Sequence, residues 1–307
     1  MSWDDDSYAD DFGERRPDHA PATARQILGR VAGYVGLVVG VIALIVGAIY
    51  VSGVVGLAAK PGGFAAPPAH GPRVAAPPMA APLDDDETVA AAPTPTTTPG
   101  SQTALPLDQI DEPLAVTSEE MGPIDPGWTA RTAEATGIPQ RALAAYAFAH
   151  AAIAEVEPEC GVNWVTIAAI GSIESGHGSH GDSVLDEHGV VTPPVIGPAL
   201  DGDGFAAIED TDDGLLDGDQ VWDRAVGPMQ FIPSTWTRWA SDATGDGIAD
   251  PQQIDDAAVT TARYLCASGP MTSSEGWRAA VYSYNHDDDY VDAVARVANE
   301  YAAAIAE

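Results

Sequence analysis

Apolar and polar positions divide this chain into four stretches. Residues 1–30 are polar and acidic, with no apolar period. From Val31 to Ala59 no charged residue occurs over 29 positions, where a helix needs ~20 apolar residues to cross a bilayer. Residues 60–125 are dominated by Pro, Ala, Thr and Asp, as in Ala91-Ala-Pro-Thr-Pro-Thr-Thr-Thr-Pro99. From about Trp128 onward, apolar residues recur at helical spacing. That spacing predicts a helix opened by Ile138-Pro139 and running to about Val156, and a second from about Asn163 to Ser175. A third starts near Pro233 and carries Trp236 and Trp239. Others cover Ile254–Ala267, Gly276–Asn285 and Asp289–Ala304. A short hairpin fits around Val190–Ile196, and no internal repeat is visible. The expected organisation is a disordered tail (1–30), a transmembrane helix (31–59), an extended linker (60–125) and one mainly α-helical domain (126–307).

Charge orients the apolar span. Arg25 and Arg30 stand just before it, with Arg15 and Arg16 further back; Lys60 and Arg73 follow it, and then acids. The positive-inside rule puts the N-terminus in the cytoplasm and the domain outside the membrane. A cleaved signal peptide is the competing reading, although its apolar region is ordinarily shorter. Gly33, Gly36 and Gly40 permit close helix contact without specifying a dimer.

The net charge of −33 repels phosphates and excludes a nucleic-acid partner. The two cysteines, Cys160 and Cys266, acquire meaning from export. In an oxidising compartment they read as one disulfide closing a long loop, worth roughly 4–5 kcal/mol through the unfolded state. Two free buried thiols are the alternative.

The helix after Asn163 carries the most chemistry. Its body, Trp164-Val-Thr-Ile-Ala-Ala-Ile-Gly-Ser-Ile173, is apolar nearly all round and should be buried. Ile167, Ile170, Gly171 and Glu174 share one stripe, so a carboxylate ends a buried apolar face just before the turn Ser175-Gly-His-Gly178. Desolvation and the negative end of the helix dipole both favour its neutral form. Cleavage of a glycosidic bond needs such a neutral acid near pH 7. A Glu that simply turns out to solvent at the helix end is the alternative.

Two further segments add to it. Ala225-Val-Gly-Pro-Met-Gln-Phe-Ile-Pro-Ser-Thr-Trp236 reads as a loop entering a helix, with Gln230 an amide able to hold a sugar substituent. Tyr282-Ser-Tyr-Asn285 ends a helix with phenol and amide groups. With Ile173-Glu-Ser-Gly-His-Gly178, these motifs resemble, in kind and order, the lytic transglycosylases, in particular the membrane-bound lytic transglycosylase B-like branch of the lysozyme-like superfamily. The resemblance covers roughly Trp128 to Glu307. It implies a lysozyme-like transglycosylase domain, peptidoglycan glycan strands as partner and Glu174 as the single catalytic acid. It implies substrate contacts from Ser175, Met229, Gln230, Tyr284 and Asn285. The implied reaction has Glu174 protonate the bond between N-acetylmuramic acid and N-acetylglucosamine, then act as base while the muramoyl 6-hydroxyl closes a 1,6-anhydro ring. The chemistry requires no cofactor. Hydrolysis by a muramidase, and a catalytically inactive wall-binding module, are the competing readings. Protein partners are not specified.

Ser241-Asp-Ala-Thr-Gly-Asp-Gly-Ile-Ala-Asp-Pro251 resembles the start of an EF-hand, but Thr244 occupies the third position and Gln253 the twelfth. The same branch has a lengthened loop whose last acid comes later, where Asp256 stands. The candidate Ca2+ ligands are therefore Asp242, Thr244, Asp246, the Ile248 carbonyl and Asp256, against a Gly-Asp turn that only caps a helix. His177 and His180 lack partners at metal-site spacing and read as a polar turn. The run from Asp201 to Asp219 reads as a solvated insertion that could hold a cation or, less readily, supply a second carboxylate.

Overall fold

The computed structural model describes residues 69–80, 105–106, 117–203 and 206–306. The expected tail and transmembrane helix lie outside the described residues, as does most of the linker. No helix among the described residues is long and apolar enough to cross a membrane.

The described chain is mainly helical. A one-turn α1 (Ser118–Met121) precedes α2 (Pro126–Thr136), α3 (Gln140–Val156) and α4 (Trp164–Ser175). After an irregular segment come α5 (Pro233–Trp239), α6 (Ile254–Cys266), α7 (Ser274–Tyr284) and α8 (Asp288–Ala304). The predicted helices from 138 onward appear within a residue or two of their expected ends. Ile138-Pro139 does not place Pro in the first turn: Pro139 is the N-cap of α3. α2 was not anticipated as a helix, although Asp125 caps it, Pro126 starts it and a left-handed Gly137 ends it. Its Ala and Thr body offers little apolar contrast.

Three two-stranded ribbons complete the fold. β1 (Leu105–Pro106) pairs antiparallel with β6 (Ile248–Ala249), and β2 (Val184–Leu185) with β3 (Val191–Thr192). β4 (Ile196–Ala199) pairs with β5 (Arg224–Val226). The expected hairpin around 190–196 is thus split between two ribbons.

α4 sits at the centre, packed against α3 on one side and α8 on the other, while α3 also packs on α6. Trp164 to Gly171 are all buried, as the all-round apolar pattern requires. Asn163 starts α4: its Oδ1 accepts from the Thr166 amide at 3.2 Å and the Thr166 hydroxyl at 3.1 Å. Trp277 of α7 donates its indole N–H to the same Thr166 hydroxyl. Cys160 and Cys266 form a disulfide that ties the loop before α4 to the end of α6 across 106 residues.

The linker is not wholly detached. Residues 69–80 lie along the domain as a strap. Asn163 donates to the Pro72 carbonyl, Arg278 to that of Ala69 and Asn299 to that of His70. The Ala80 and Asp125 amides bond the carbonyls of Pro123 and Pro78. Composition hides this, because side chains elsewhere in the domain bond the segment's backbone carbonyls.

Candidate active site

Glu174 occupies the last turn of α4, half-buried. The Tyr290 hydroxyl, from the first turn of α8, donates to Glu174 Oε1 at 2.5 Å. Burial raises the Glu174 pKa to about 7, and the Tyr290 hydrogen bond opposes that rise. Loss of hydration in a mostly apolar site costs the anion more than one donor returns. The carboxyl group is therefore part protonated near neutral pH. Among the described residues, no second carboxylate is one of the groups that set its proton affinity.

The residue after the acid holds the site together. Ser175 Oγ donates to the Pro228 carbonyl at 2.6 Å and accepts from the Gly178 amide at 2.7 Å. It thereby joins the end of α4 to the Gly227-Pro-Met-Gln loop. Both of its hydrogen-bonding functions are engaged within the protein. Met229 is fully buried, its sulfur 3.1 Å from where a Cβ on Gly171 would lie. Its side chain belongs to the core and does not line the groove. Its carbonyl accepts from Tyr284 Oη at 2.6 Å. Tyr284 in turn feels the Glu174 charge, so Glu174, Ser175, Met229, Tyr284 and Tyr290 form one connected group.

Gln230 has a positive φ of 51°, which turns the loop sharply. Its amide Nε2 donates to the Gly227 carbonyl at 2.9 Å. Gln230 lines one end of a groove of about 150 Å³, with Phe231, Tyr264, Tyr284 and His286 among its walls. Asn285, the C-cap of α7, is exposed beside it. The loop follows this path because Gly227 has φ +78° and a Cβ there would fall 1.8 Å from the Pro251 carbonyl oxygen. Gln252, fully buried, holds the facing strand by bonding both the N–H and the C=O of Val195.

Two features of the site were not legible in the sequence. Tyr290 stands 116 residues from Glu174, in a helix whose first turn reads as plain surface. His177 sits in the expected turn but is not a solvated residue of it. It is buried, with Nδ1 3.1 Å from Tyr146 Oη and Nε2 3.1 Å from Tyr301 Oη. Burial lowers its pKa to about 4, so the ring is neutral. This pair of contacts fixes the turn that follows Glu174. His180 is exposed.

The candidate cation loop is built around Asp242 and Asp256, both buried. Asp242 accepts from the Thr244 hydroxyl and from the Gly245 and Gly247 amides. Asp256 accepts from the Ala243 and Asp250 amides. Burial, reinforced by the Asp242 charge, pushes the Asp256 carboxyl well above the usual range. Asp246 is exposed and half-buried Thr244 neighbours it. A hard cation suits this all-oxygen donor set and the like charges it gathers. Among the described residues, however, the carboxylates whose oxygens converge within 4.8 Å are a different trio, Asp210, Asp212 and Asp223.

One family comparison agrees with the sequence resemblance. Residues 217–283 match the family described as Transglycosylase SLT domain. That segment spans the Gln230 loop and Tyr282, and ends before Tyr284, Asn285 and Tyr290; Glu174 precedes it. A search of curated proteins returns no match. Among solved structures, the chain is similar to Escherichia coli lytic transglycosylase Slt35 in complex with calcium, at 16% identity over 58% of this chain and 80% of that one, with a TM-score of 0.37. It is similar to the same enzyme in complex with bulgecin A, at 16% identity over 62% and 82% with a TM-score of 0.36. It is also similar to Pseudomonas aeruginosa SltB3 in complex with NAG-anhNAM-pentapeptide, at 19% identity over 60% and 69% with a TM-score of 0.34.

Proposed function

We propose that this chain is a peptidoglycan lytic transglycosylase, acting in cell-wall remodelling on the bond between N-acetylmuramic acid and N-acetylglucosamine. The observation that carries the reading is Glu174, a half-buried carboxyl with a pKa near 7, hydrogen-bonded by Tyr290 and, among the described residues, perturbed by no second carboxylate. The family match over 217–283 supports it from an independent segment.

In this reading the neutral Glu174 donates its proton to the glycosidic oxygen, and the bond from that oxygen to the muramoyl anomeric carbon breaks. Glu174, now a carboxylate, takes the proton of the muramoyl 6-hydroxyl as that oxygen bonds to the same carbon. No water is consumed, and the acid is regenerated. One carboxyl suffices because the nucleophile belongs to the substrate. Tyr290 holds the carboxyl in place and stabilises its anion between the two proton transfers. Gln230 and Asn285 bind sugar substituents along the groove, and Tyr282, exposed and edge-on to His286 at 5.4 Å, offers an aromatic face to a sugar ring.

The span Val31–Ala59 anchors the chain in the cell membrane with the domain outside. Asp242, Thr244, Asp246, the Ile248 carbonyl and Asp256 would hold a structural Ca2+, which would neutralise the loop and take no part in the chemistry.

The test is product release from purified peptidoglycan by the full chain and by its Glu174→Gln variant. Release of anhydro products that the variant abolishes supports the reading; equal release by both overturns it.

A further inference from the structure

One feature left unused by this chemistry is a cavity of about 490 Å³ at the other end of α4. Glu174 ends that helix and Asn163 caps its start, about 16 Å away at 1.5 Å per residue. The cavity lies between the strap and the starts of two helices. Its walls include His70 and Arg73 of the strap, His150 of α3, Asn163 before α4, and Ser273 and Trp277 of α7.

Three independent observations bear on what it holds. The chain carries a net charge of −33, yet among the described residues no Asp or Glu lines this cavity. The nearest acid in sequence to its lining on α7 is Glu275, which is exposed. Second, the N-termini of α4 and α7, of 12 and 11 residues, both meet here. Asn163 and Ser273 cap the third amide of each helix, the first two N–H groups have no intrahelical acceptor, and the two dipoles present positive ends to the same space. Third, the His150 side chain is 8% exposed and makes no hydrogen bond among the described residues, and its Nδ1 is fully shielded without a partner. Burial keeps the ring neutral, with a pKa of about 4. A neutral imidazole has one N–H to donate, and among the described residues nothing accepts it. Nδ1 is sealed from solvent, so an acceptor that enters the cavity meets the ring at Nε2, the nitrogen that stays open to it.

We propose that this cavity is a binding site for a small oxyanion group, a carboxylate or a phosphate, held by the Arg73 guanidinium, the His150 ring and the converging N-termini of α4 and α7. Trp277 and the neighbouring apolar wall take the carbon skeleton attached to the anion. Because Arg73 and His70 belong to the strap, an occupied site also ties the strap to the domain: Arg73 already bonds the Thr272 carbonyl. The site is separate from Glu174 and does not depend on the reaction proposed above.

The test uses the full chain with labelled histidines. The His150 ring signals are assigned as those missing in His150→Phe. Inorganic phosphate, N-acetylmuramic acid (which bears a lactyl carboxylate) and N-acetylglucosamine (neutral) are titrated separately at fixed ionic strength. The expected result is a saturable shift of the His150 signals with phosphate or N-acetylmuramic acid and none with N-acetylglucosamine. Whichever anion saturates identifies the source. Arg73→Gln should weaken that binding at least tenfold, and His150→Phe should weaken it in calorimetry with the Trp277 signals unmoved. A shift that does not saturate with either anion overturns the proposal. So does saturable binding that both variants retain at full strength.

Discussion

The Tyr290 hydroxyl and the Glu174 carboxylate, 116 residues apart, meet in a 2.5 Å hydrogen bond that joins the end of α4 to the start of α8. The contact lowers the proton affinity that burial raises, so it tunes the acid as well as orienting it. Tyr290→Phe should therefore shift the alkaline limb of the kcat/KM profile to higher pH, because an acid catalyst is lost as pH passes its pKa. Lost positioning should lower kcat about 10–100-fold. A pH profile of peptidoglycan release that keeps its alkaline limb in place would contradict the tuning role.

The same shift has a stability consequence. The Glu174 pKa rises from 4.5 to about 7 on folding, so between those values the folded state binds the proton more tightly. Stability is then greatest below about pH 4.5, falls as pH rises to about 7 and is level above. Glu174→Gln removes the ionisation and should stabilise the protein by about 1–2 kcal/mol at pH 8, after allowance for solvent screening. The gain should vanish at pH 4.5. Thermal melts at the two pH values measure it.

Gly171 allows the packing behind the acid. A Cβ there would lie 2.3 Å from Tyr146 Oη, the atom that bonds His177. Gly171→Ala should cost about 1–3 kcal/mol by overpacking. Tyr146→Phe removes the clashing oxygen, so the double variant should lose less than the sum of the singles. Denaturant titrations of the four proteins give the coupling.

These contacts mark where the sequence stops being informative. The pattern Trp164–Ile173, the Asn163 cap and the end of α4 at Ser175 follow from local periodicity and capping, and Glu174 was placed from them. The Gln230 loop was recognisable as a motif, but its sharp turn depends on Gly227 approaching Pro251, which no local pattern encodes. Met229 was expected at the groove; a buried Met and a groove-lining Met look alike until the helix that covers it is known. His177 looked like part of a polar turn because its partners, Tyr146 and Tyr301, come from α3 and α8. The strap was hidden for a related reason, since a Pro-rich segment reads as unpacked unless the side chains that bond its carbonyls are seen.

The disulfide should matter more to stability than to chemistry. Cys160–Cys266 closes a loop of 106 residues, and neither cysteine lines the Gln230 groove. Replacing both with Ser should cost about 2–5 kcal/mol while leaving kcat within about twofold at a temperature where the variant is folded. Denaturant midpoints and turnover on the same samples separate the two effects.

Calcium should act in the same sense if the Asp242–Asp256 loop binds it. Millimolar Ca2+ should raise the melting temperature of the full chain, and Asp242→Asn should reduce that rise, with kcat little changed.

Mass spectrometry of the muropeptides that the full chain releases tests the central claim most directly. Transglycosylation by Glu174 predicts products one water lighter than hydrolysis products, without a reducing end, and none from Glu174→Gln. Reducing-end products of full hydrolytic mass, or release that Glu174→Gln leaves unchanged, would contradict it.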